Sequence, residues 1–283
     1  MPGMQPVSHL PLDVYRRCYG AYTQGAQLPL KRRAKNAEHH IETMSAYYLE
    51  AARAGALHLI ATHSALDEMS PQDMGKLYAG QFSAAHGACR DVYDEIRSLA
   101  PHGICPLCLQ RAVSQVDHYL PKAHYPAFAV DPRNLVPVCT DCNWEKGEAV
   151  ISKANERVVH PYFDVLPDIW LQCNLEQSER IVASFSVSSG VSEETGQKDL
   201  LESHLRELNL DSFYKIHAGK RLYEIGSRLR SLHGKGSSDY VRAQLQDNLE
   251  EAERFNRNSW QSALFRALSQ SDWFCRDGFN LIP

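Results

Sequence analysis

Cys105-Pro106-Leu107-Cys108, then Val116-Asp117-His118-Tyr119-Leu120-Pro121-Lys122, then Asn134-Leu135-Val136-Pro137-Val138-Cys139-Thr140-Asp141-Cys142-Asn143-Trp144-Glu145-Lys146-Gly147: these stretches, all within residues 105–147, decide how the chain folds. A C-x-x-C pair opens the segment and another lies near its end. Two thiolates separated by two residues can turn onto one ion, so Cys105, Cys108, Cys139 and Cys142 are expected to complete a structural Zn²⁺ site of four sulfurs. A redox C-x-x-C would need one pair opening a helix within a βαβ pattern, and the sequence offers two pairs and no such pattern. The other cysteines, Cys18, Cys89, Cys173 and Cys275, are scattered and read as small buried hydrophobes.

Asp117-His118, then Asn134-Leu135 ahead of the second pair, then Cys142-Asn143 with Lys146-Gly147, follow one another in a telling order. In this the chain resembles the HNH nuclease superfamily, over roughly Cys105 to Pro161, about a fifth of its length. The resemblance implies a ββα-metal core, a two-stranded hairpin and a helix around a metal ion. It implies catalytic roles for His118, as general base, and for Asn134, the central Asn that holds the loop and orients the histidine. Asp117 and Asn143 become the ligands of a catalytic Mg²⁺ or Mn²⁺. Many members of the superfamily carry His where Asn143 stands; an amide oxygen there favours a hard ion over a softer one. The implied products carry 5′-phosphate and 3′-hydroxyl ends.

The residue types suit that chemistry. Phosphodiester hydrolysis needs an activated water, a sink for the charge on the leaving oxygen, and rigid positioning. A neutral imidazole accepts a proton near pH 7, and a carboxylate is a hard oxygen donor. Neighbouring strand residues face opposite ways, so Asp117 and His118 are expected at a strand end, leading into the loop that begins at Pro121. Plainer readings stand beside these. Asp117-His118 could be a surface turn, Asn134 a turn residue after Asp131-Pro132, Asn143 a helix cap and His124 a solvated loop histidine. Lys122 and Lys146 could meet phosphates or simply be solvated. His160 either approaches the metal or is a turn residue before Pro161.

Composition limits the function classes. Of 283 residues 43% are hydrophobic and 23% charged, ordinary values for a globular chain, which exclude a disordered tail or a disulfide miniprotein. The net charge of −4 argues against a stand-alone, high-affinity DNA-binding domain. From Cys105 to Arg157 the basic residues Arg111, Lys122, Arg133, Lys146, Lys153 and Arg157 are balanced by Asp117, Asp131, Asp141, Glu145, Glu148 and Glu156. Affinity for DNA must therefore come from elsewhere. The cluster Lys31-Arg32-Arg33-Ala34-Lys35 could touch a DNA backbone or be a solvated face. No apolar run is long enough to span a bilayer, and residues 1–6 show no secretory signal. No membrane association is expected, and the cytoplasm, where thiols stay reduced, is the expected compartment.

The flanks read as mostly helical. Ile41, Met44, Tyr48 and Ala51 recur at helical spacing. A second helix is expected from near Pro71, behind Ser70 as N-cap, to Leu99, with Phe82, Ala85, Cys89, Val92 and Ile96 on its apolar face. Trp170 to Leu175 and Ile181 to Val187 alternate as a β-hairpin, ended by Ser189-Gly190. Leu201, Leu205 and Leu208 begin a series of helical stripes, followed by Leu222, Ile225, Leu229 and Leu232. Val241, Leu245 and Leu249 continue it, then Trp260, Leu264 and Leu268, with a turn at residues 234–237. Trp273-Phe274-Cys275 and Phe279 are too apolar for a loose tail. The expected fold class is α+β, predominantly helical. A central ββα-metal (HNH) core with a four-cysteine zinc site (101–165) lies between a helical N-terminal region (1–100) and a β-hairpin plus helical C-terminal region (166–283), together one compact body.

The wording Val116-Asp117-His118-Tyr119-Leu120-Pro121-Lys122 with Tyr125-Pro126, Asn134-Leu135-Val136-Pro137 and His160-Pro161-Tyr162 is similar to the HNH subunits of bacterial anti-phage systems of the Septu type. That resemblance implies an ABC-type ATPase partner that senses or holds DNA while the HNH protein cuts. No G-x-x-x-x-G-K-[ST] loop occurs in this chain, so any ATPase activity would belong to another. The expected function is a metal-dependent endonuclease acting on DNA. One rival is a catalytically inactive zinc-stapled module that binds nucleic acid or acts as a scaffold. Another is a sequence-specific restriction enzyme, which would need a separate basic recognition domain that is not evident. Asp117, His118, Asn134 and Asn143 standing in register favour the enzyme.

Overall fold

The apolar stripes of the N-terminal helices decide which face each one buries. In a computed structural model, which describes residues 4–63, 68–177, 180–234 and 237–282, α1 (Pro11–Gly20) turns Val14, Tyr15 and Cys18 inward, and α2 (Leu28–Asn36) buries Leu30 and Ala34. α3 (Glu38–Arg53) buries Ile41, Tyr48 and Ala51 as its spacing predicts. Met44 is only half buried; Ser45 takes the inner position instead, because its hydroxyl donates to the buried Asp131 carboxylate. Two cations of the basic cluster are used inside the fold. Lys31 Nζ donates to the Gly20 carbonyl at 3.0 Å, and Arg33 pairs with Asp73 at 2.9 Å.

Ser70 and Pro71 start α4 (Pro71–Leu77) as expected. Ser70 Oγ accepts from the Asp73 amide and Asp73 accepts from the Ser70 amide, a reciprocal capping box. The helix does not run on to Leu99. It loosens into a π-turn over Tyr78–Phe82, breaks, and resumes as α5 (Arg90–Ser98). The break has a steric and a hydrogen-bonding cause. The Cys89 amide donates back to the Gln81 carbonyl at 2.9 Å, and Gly87 lies so close to Gln81 that a Cβ there would sit 2.5 Å from that oxygen. Phe82, Cys89, Val92 and Ile96 are buried on both sides of the break, whereas Ala85 is exposed. The apolar period thus survives while the helix does not.

α5 packs against both strands of the small sheet that follows. β1 (Gln115–His118) pairs antiparallel with β2 (Leu135–Val138), with Gln115 opposite Val138 and His118 opposite Leu135. All of β2 is buried. α6 (Thr140–Lys146) comes directly after it, capped by Cys139, whose sulfur accepts from the Cys142 amide. Gly147, at φ 59°, ends the helix in a conformation that a side chain would disfavour.

These elements belong to one compact unit, Pro2–Val165; Leu166–Pro283 form a second. In the second unit β3 (Leu171–Gln177) and β4 (Ile181–Val187) make the expected antiparallel hairpin. α7 (Gln197–Glu207), α8 (Leu210–His233), α9 (Ser238–Phe255), α10 (Trp260–Gln270) and α11 (Asp272–Arg276) follow. Leu201, Leu205, Leu208, Leu222, Ile225, Leu229, Val241, Leu245, Trp260, Leu264 and Leu268 are buried, and Leu232 and Leu249 half buried. Phe274, Cys275 and Phe279 are buried too. Of the turn expected at 234–237, residues 235 and 236 lie outside the described residues. The described chain is mostly helical, with two small antiparallel sheets. None of its described helices is long and apolar enough to cross a membrane.

The break between α4 and α5 yields a test. Gly87→Ala forces a Cβ into the Gln81 backbone and should destabilise the protein by about 1–3 kcal/mol. Gly80→Ala, where the nearest atom is Tyr22 Oη at 3.7 Å, should change stability by no more than ~0.5 kcal/mol. Urea denaturation of the two variants beside the parent checks both.

Candidate active site and metal centre

Local backbone geometry brings the cysteines together. The Cys105 amide donates to the Arg111 carbonyl at 2.8 Å and Ile104 bridges to Ala112, so the first pair sits in a tight hairpin. Leu109 turns that hairpin at φ 52°, a left-handed conformation costly for an L side chain. The second pair joins the end of β2 to the first turn of α6. All four cysteines are buried, and their Sγ atoms lie within 4.8 Å of one another, with Cys108 and Cys139 4.0 Å apart. Sulfurs on a tetrahedral zinc ion sit about 3.8 Å apart, given a Zn–S bond of ~2.3 Å. The set can therefore hold zinc. Backbone amides of Arg111 and Cys142 point at Cys108 and Cys139 Sγ, at 3.5 and 3.4 Å. Hydrogen bonds from Cys105 draw the Cys108 and Cys139 thiols down, towards the thiolate form that zinc binds. Arg111 pairs with Asp141 at 2.6 Å, a further tie between the first hairpin and α6.

Beside this cluster lies a cleft of about 550 Å³ whose lining includes Gln115, Asp117, His118, Lys122, Asn143 and Trp144. β1 ends at His118, as the sequence predicts. His118 is 5% exposed, and its Nε2 lies 2.9 Å from the Ala129 carbonyl. A carbonyl only accepts, so Nε2 carries the proton and Nδ1 keeps a lone pair. Burial pushes the imidazole down to about 3, helped by the positive charges of Lys122 and Lys146. The ring is therefore neutral at pH 7. Its other neighbour is Tyr78, whose ring centroid lies 4.4 Å away.

Asp117 is nearly buried, and burial pushes its carboxyl above the usual range. Lys146 opposes that shift: its Nζ lies 3.0 Å from Asp117 Oδ2 and donates to the His118 carbonyl at 2.9 Å. Asn143 Nδ2 donates to Asp117 Oδ1 at 2.7 Å while its Oδ1 accepts from Gln115 Nε2 at 3.0 Å. A half-turn of the amide would put Asn143 Oδ1, instead of Nδ2, 2.7 Å from Asp117 Oδ1. Adjacent oxygens on an octahedral Mg²⁺ are about 3 Å apart. The same two side chains can thus form a hydrogen bond or offer two oxygens to a hard cation.

Asn134 is fully buried and does not line the cleft. Its Oδ1 accepts from the Leu120 amide at 2.7 Å, and its Nδ2 donates to the Leu120 and Phe128 carbonyls at 3.0 and 3.3 Å. It clamps the two limbs of the loop that carries Ala129, so any influence on His118 passes through that loop. Asp117, His118 and Asn143 come together at the cleft, and Asn134 stands behind it. Cys139, not Asn143, caps α6. His160 is buried with its Nε2 3.1 Å from Tyr48 Oη and its ring 4.2 Å from Tyr119, outside the cleft lining. His124 is exposed, and its carbonyl accepts from His63. The residue that sequence reasoning missed is Lys146, weighed there only against phosphate. Its position three residues after Asn143 was the available signal, since i and i+3 share one helix face.

Two outcomes follow from this geometry. Cys105→Ser or Cys142→Ser should release bound zinc, read by elemental analysis, and lower the melting temperature. Lys146→Met should cost about 3 kcal/mol at pH 7.5, because it leaves the nearly buried Asp117 carboxyl without a counter-charge, with only the Asn143 amide beside it. The sign of its pH dependence is fixed: a carboxyl raised by burial is penalised only once its unfolded counterpart ionises. The cost should therefore shrink as pH falls through the carboxylate range, which melting curves from pH 7.5 to 4.5 will read.

No family model matches the chain, and no solved structure matches it. Over 60 residues it is 38% identical to the Septu protein PtuB of Bacillus thuringiensis, covering 21% of this chain and 23% of PtuB. The chain thus spans under a quarter of that relative's length. Together with the four-cysteine cluster, the short match fits a Septu-like HNH protein. A longer match joins it to protein ea31 of Escherichia phage lambda, 31% identical over 217 residues. Because that match covers 71% of this chain and 73% of ea31, the chain belongs to the ea31 family.

Proposed function

We propose that this chain is a metal-dependent HNH endonuclease hydrolysing phosphodiester bonds in DNA, and the nuclease subunit of an anti-phage defence complex with an ABC-type ATPase partner. One observation carries the reading. Asp117, His118 and Asn143 line a single cleft, on a hairpin and helix beside four clustered cysteines. Zinc on the cysteines would lock α6 against the hairpin. Asp117 and Asn143 would hold Mg²⁺ or Mn²⁺, which when bound supplies positive charge to the scissile phosphate and the leaving 3′ oxygen.

The chain's own residues do the rest. His118 Nδ1 takes the proton of the attacking water, and the bond from Nε2 to Ala129 keeps that nitrogen unprotonated beforehand. Its low proton affinity suits the resting state. A negative phosphate brought alongside raises it, offsetting Lys122 and Lys146. Asn134 holds the loop that aims the imidazole. The ends left are 5′-phosphate and 3′-hydroxyl. One observation favours the rival, an inactive zinc-stapled module: Lys146 already neutralises Asp117.

His118→Ala decides between them. It should lower Mg²⁺-dependent nicking of supercoiled plasmid by ~100-fold or more while zinc content holds and the variant, though less stable, stays folded. Nicking at the parental rate in that variant would remove His118 as the base. EDTA, applied long enough to take Mg²⁺ but not the buried zinc, should stop cleavage, and added Mg²⁺ should restore it. An ATPase encoded beside this chain should co-purify with it.

A further inference from the structure

Trp144 is the feature of the cleft that hydrolysis leaves unused. It is 83% exposed, whereas Trp170 and Trp260 are buried and Trp273 is half buried. A lone exposed apolar residue means little. This one has a telling position. It directly follows Asn143 on α6 and lines the same cleft as Asp117, His118 and Lys122. Cys139 and Cys142 hold the first turn of that helix, so the indole stands on a rigid support beside the place where a scissile phosphate has to lie.

The charges around it narrow what the ring can do. Lys146 is committed to Asp117, and Glu148 adds a negative charge to the lining. Lys122 is the remaining cation of the cleft, and among the described residues no carboxylate pairs with it. Grip on a duplex grows with the number of phosphates neutralised, and one cation neutralises few. A flat aromatic face needs no charge and takes any base by stacking, provided the face of that base is free. Inside a duplex both faces of a base are covered by its neighbours.

We propose that Trp144 stacks on an unpaired nucleobase next to the scissile phosphate, with Lys122 on the backbone, so that the substrate is single-stranded or locally opened nucleic acid. The inference rests on the nuclease reading of this cleft and names its substrate class. A π-face alone does not separate DNA from RNA, so both belong in the test.

The full zinc-loaded chain carrying His118→Ala is titrated with labelled oligonucleotides of about 12 nucleotides: single-stranded DNA, single-stranded RNA, and blunt DNA duplex of the same sequence. Single strands should bind more tightly than the duplex and quench tryptophan emission. Adding Trp144→Ala should weaken single-strand binding about tenfold and reduce the quenching. Adding Trp144→Phe instead should keep affinity within about threefold, because a smaller ring still stacks. The strand that binds more tightly identifies the sugar. Unchanged single-strand affinity on adding Trp144→Ala overturns the proposal, and so does tighter binding of the duplex. The nuclease reading is judged separately. Absence of Mg²⁺-dependent cleavage by the parent chain, of any of these substrates, ends that reading, while the binding data still decide whether Trp144 stacks.

Discussion

Four thiols crowd into one buried site, and the short elements around them depend on it. A four-residue strand on each side and a seven-residue helix bury too little to hold themselves together. Zinc on the sulfurs would supply what the elements lack, because Cys139 and Cys142 belong to α6 and its cap while Cys105 and Cys108 belong to the hairpin ahead of β1. Binding at such a site is folding free energy for the segment. α5 covers the strands from the outside, and the Arg111–Asp141 pair adds a polar tie across the same junction. Every cleft residue discussed above hangs from this frame.

The cleft illustrates how one helix face can serve two ends. Asn143 and Lys146 lie three residues apart on α6 and both turn towards Asp117. One offers an oxygen or an amide hydrogen, depending on how the amide is turned; the other offers a fixed positive charge. The carboxylate can stay ionised in a nearly buried place because that charge is there. Lys146 also grips the His118 carbonyl, so a single ammonium holds both halves of the Asp117-His118 pair in position.

Much of the architecture was legible in the residues. Pairs of cysteines at fixed spacing announced their cluster, because a thiol's chemistry survives any change of context. Period-two alternation announced the hairpin at Leu171–Val187, and the leucine stripes announced the helices of the second unit. The α4–α5 break was not legible. Its cause is a contact between Gly87 and the Gln81 backbone, and local apolar period carries no trace of it. Ser45 facing inward was hidden for a similar reason, since its partner Asp131 is distant in sequence. In the cleft, the convergence of Asp117, His118 and Asn143 agrees with the order of residue types. The commitment of Lys146 and the retreat of Asn134 behind the loop depend on distances that spacing alone does not encode.

The bond that aims His118 ends on the main-chain oxygen of Ala129, not on a side chain. No change of residue at that position can delete the acceptor. What guards the tautomer is the path of the loop, held by the Asn134 side chain and by backbone bonds such as those from the Phe128 and Ala129 amides to the Tyr125 and Pro126 carbonyls. Packing limits change there instead, because residues 125–131 are all buried, and while the loop keeps its course the proton stays on the far side of the ring.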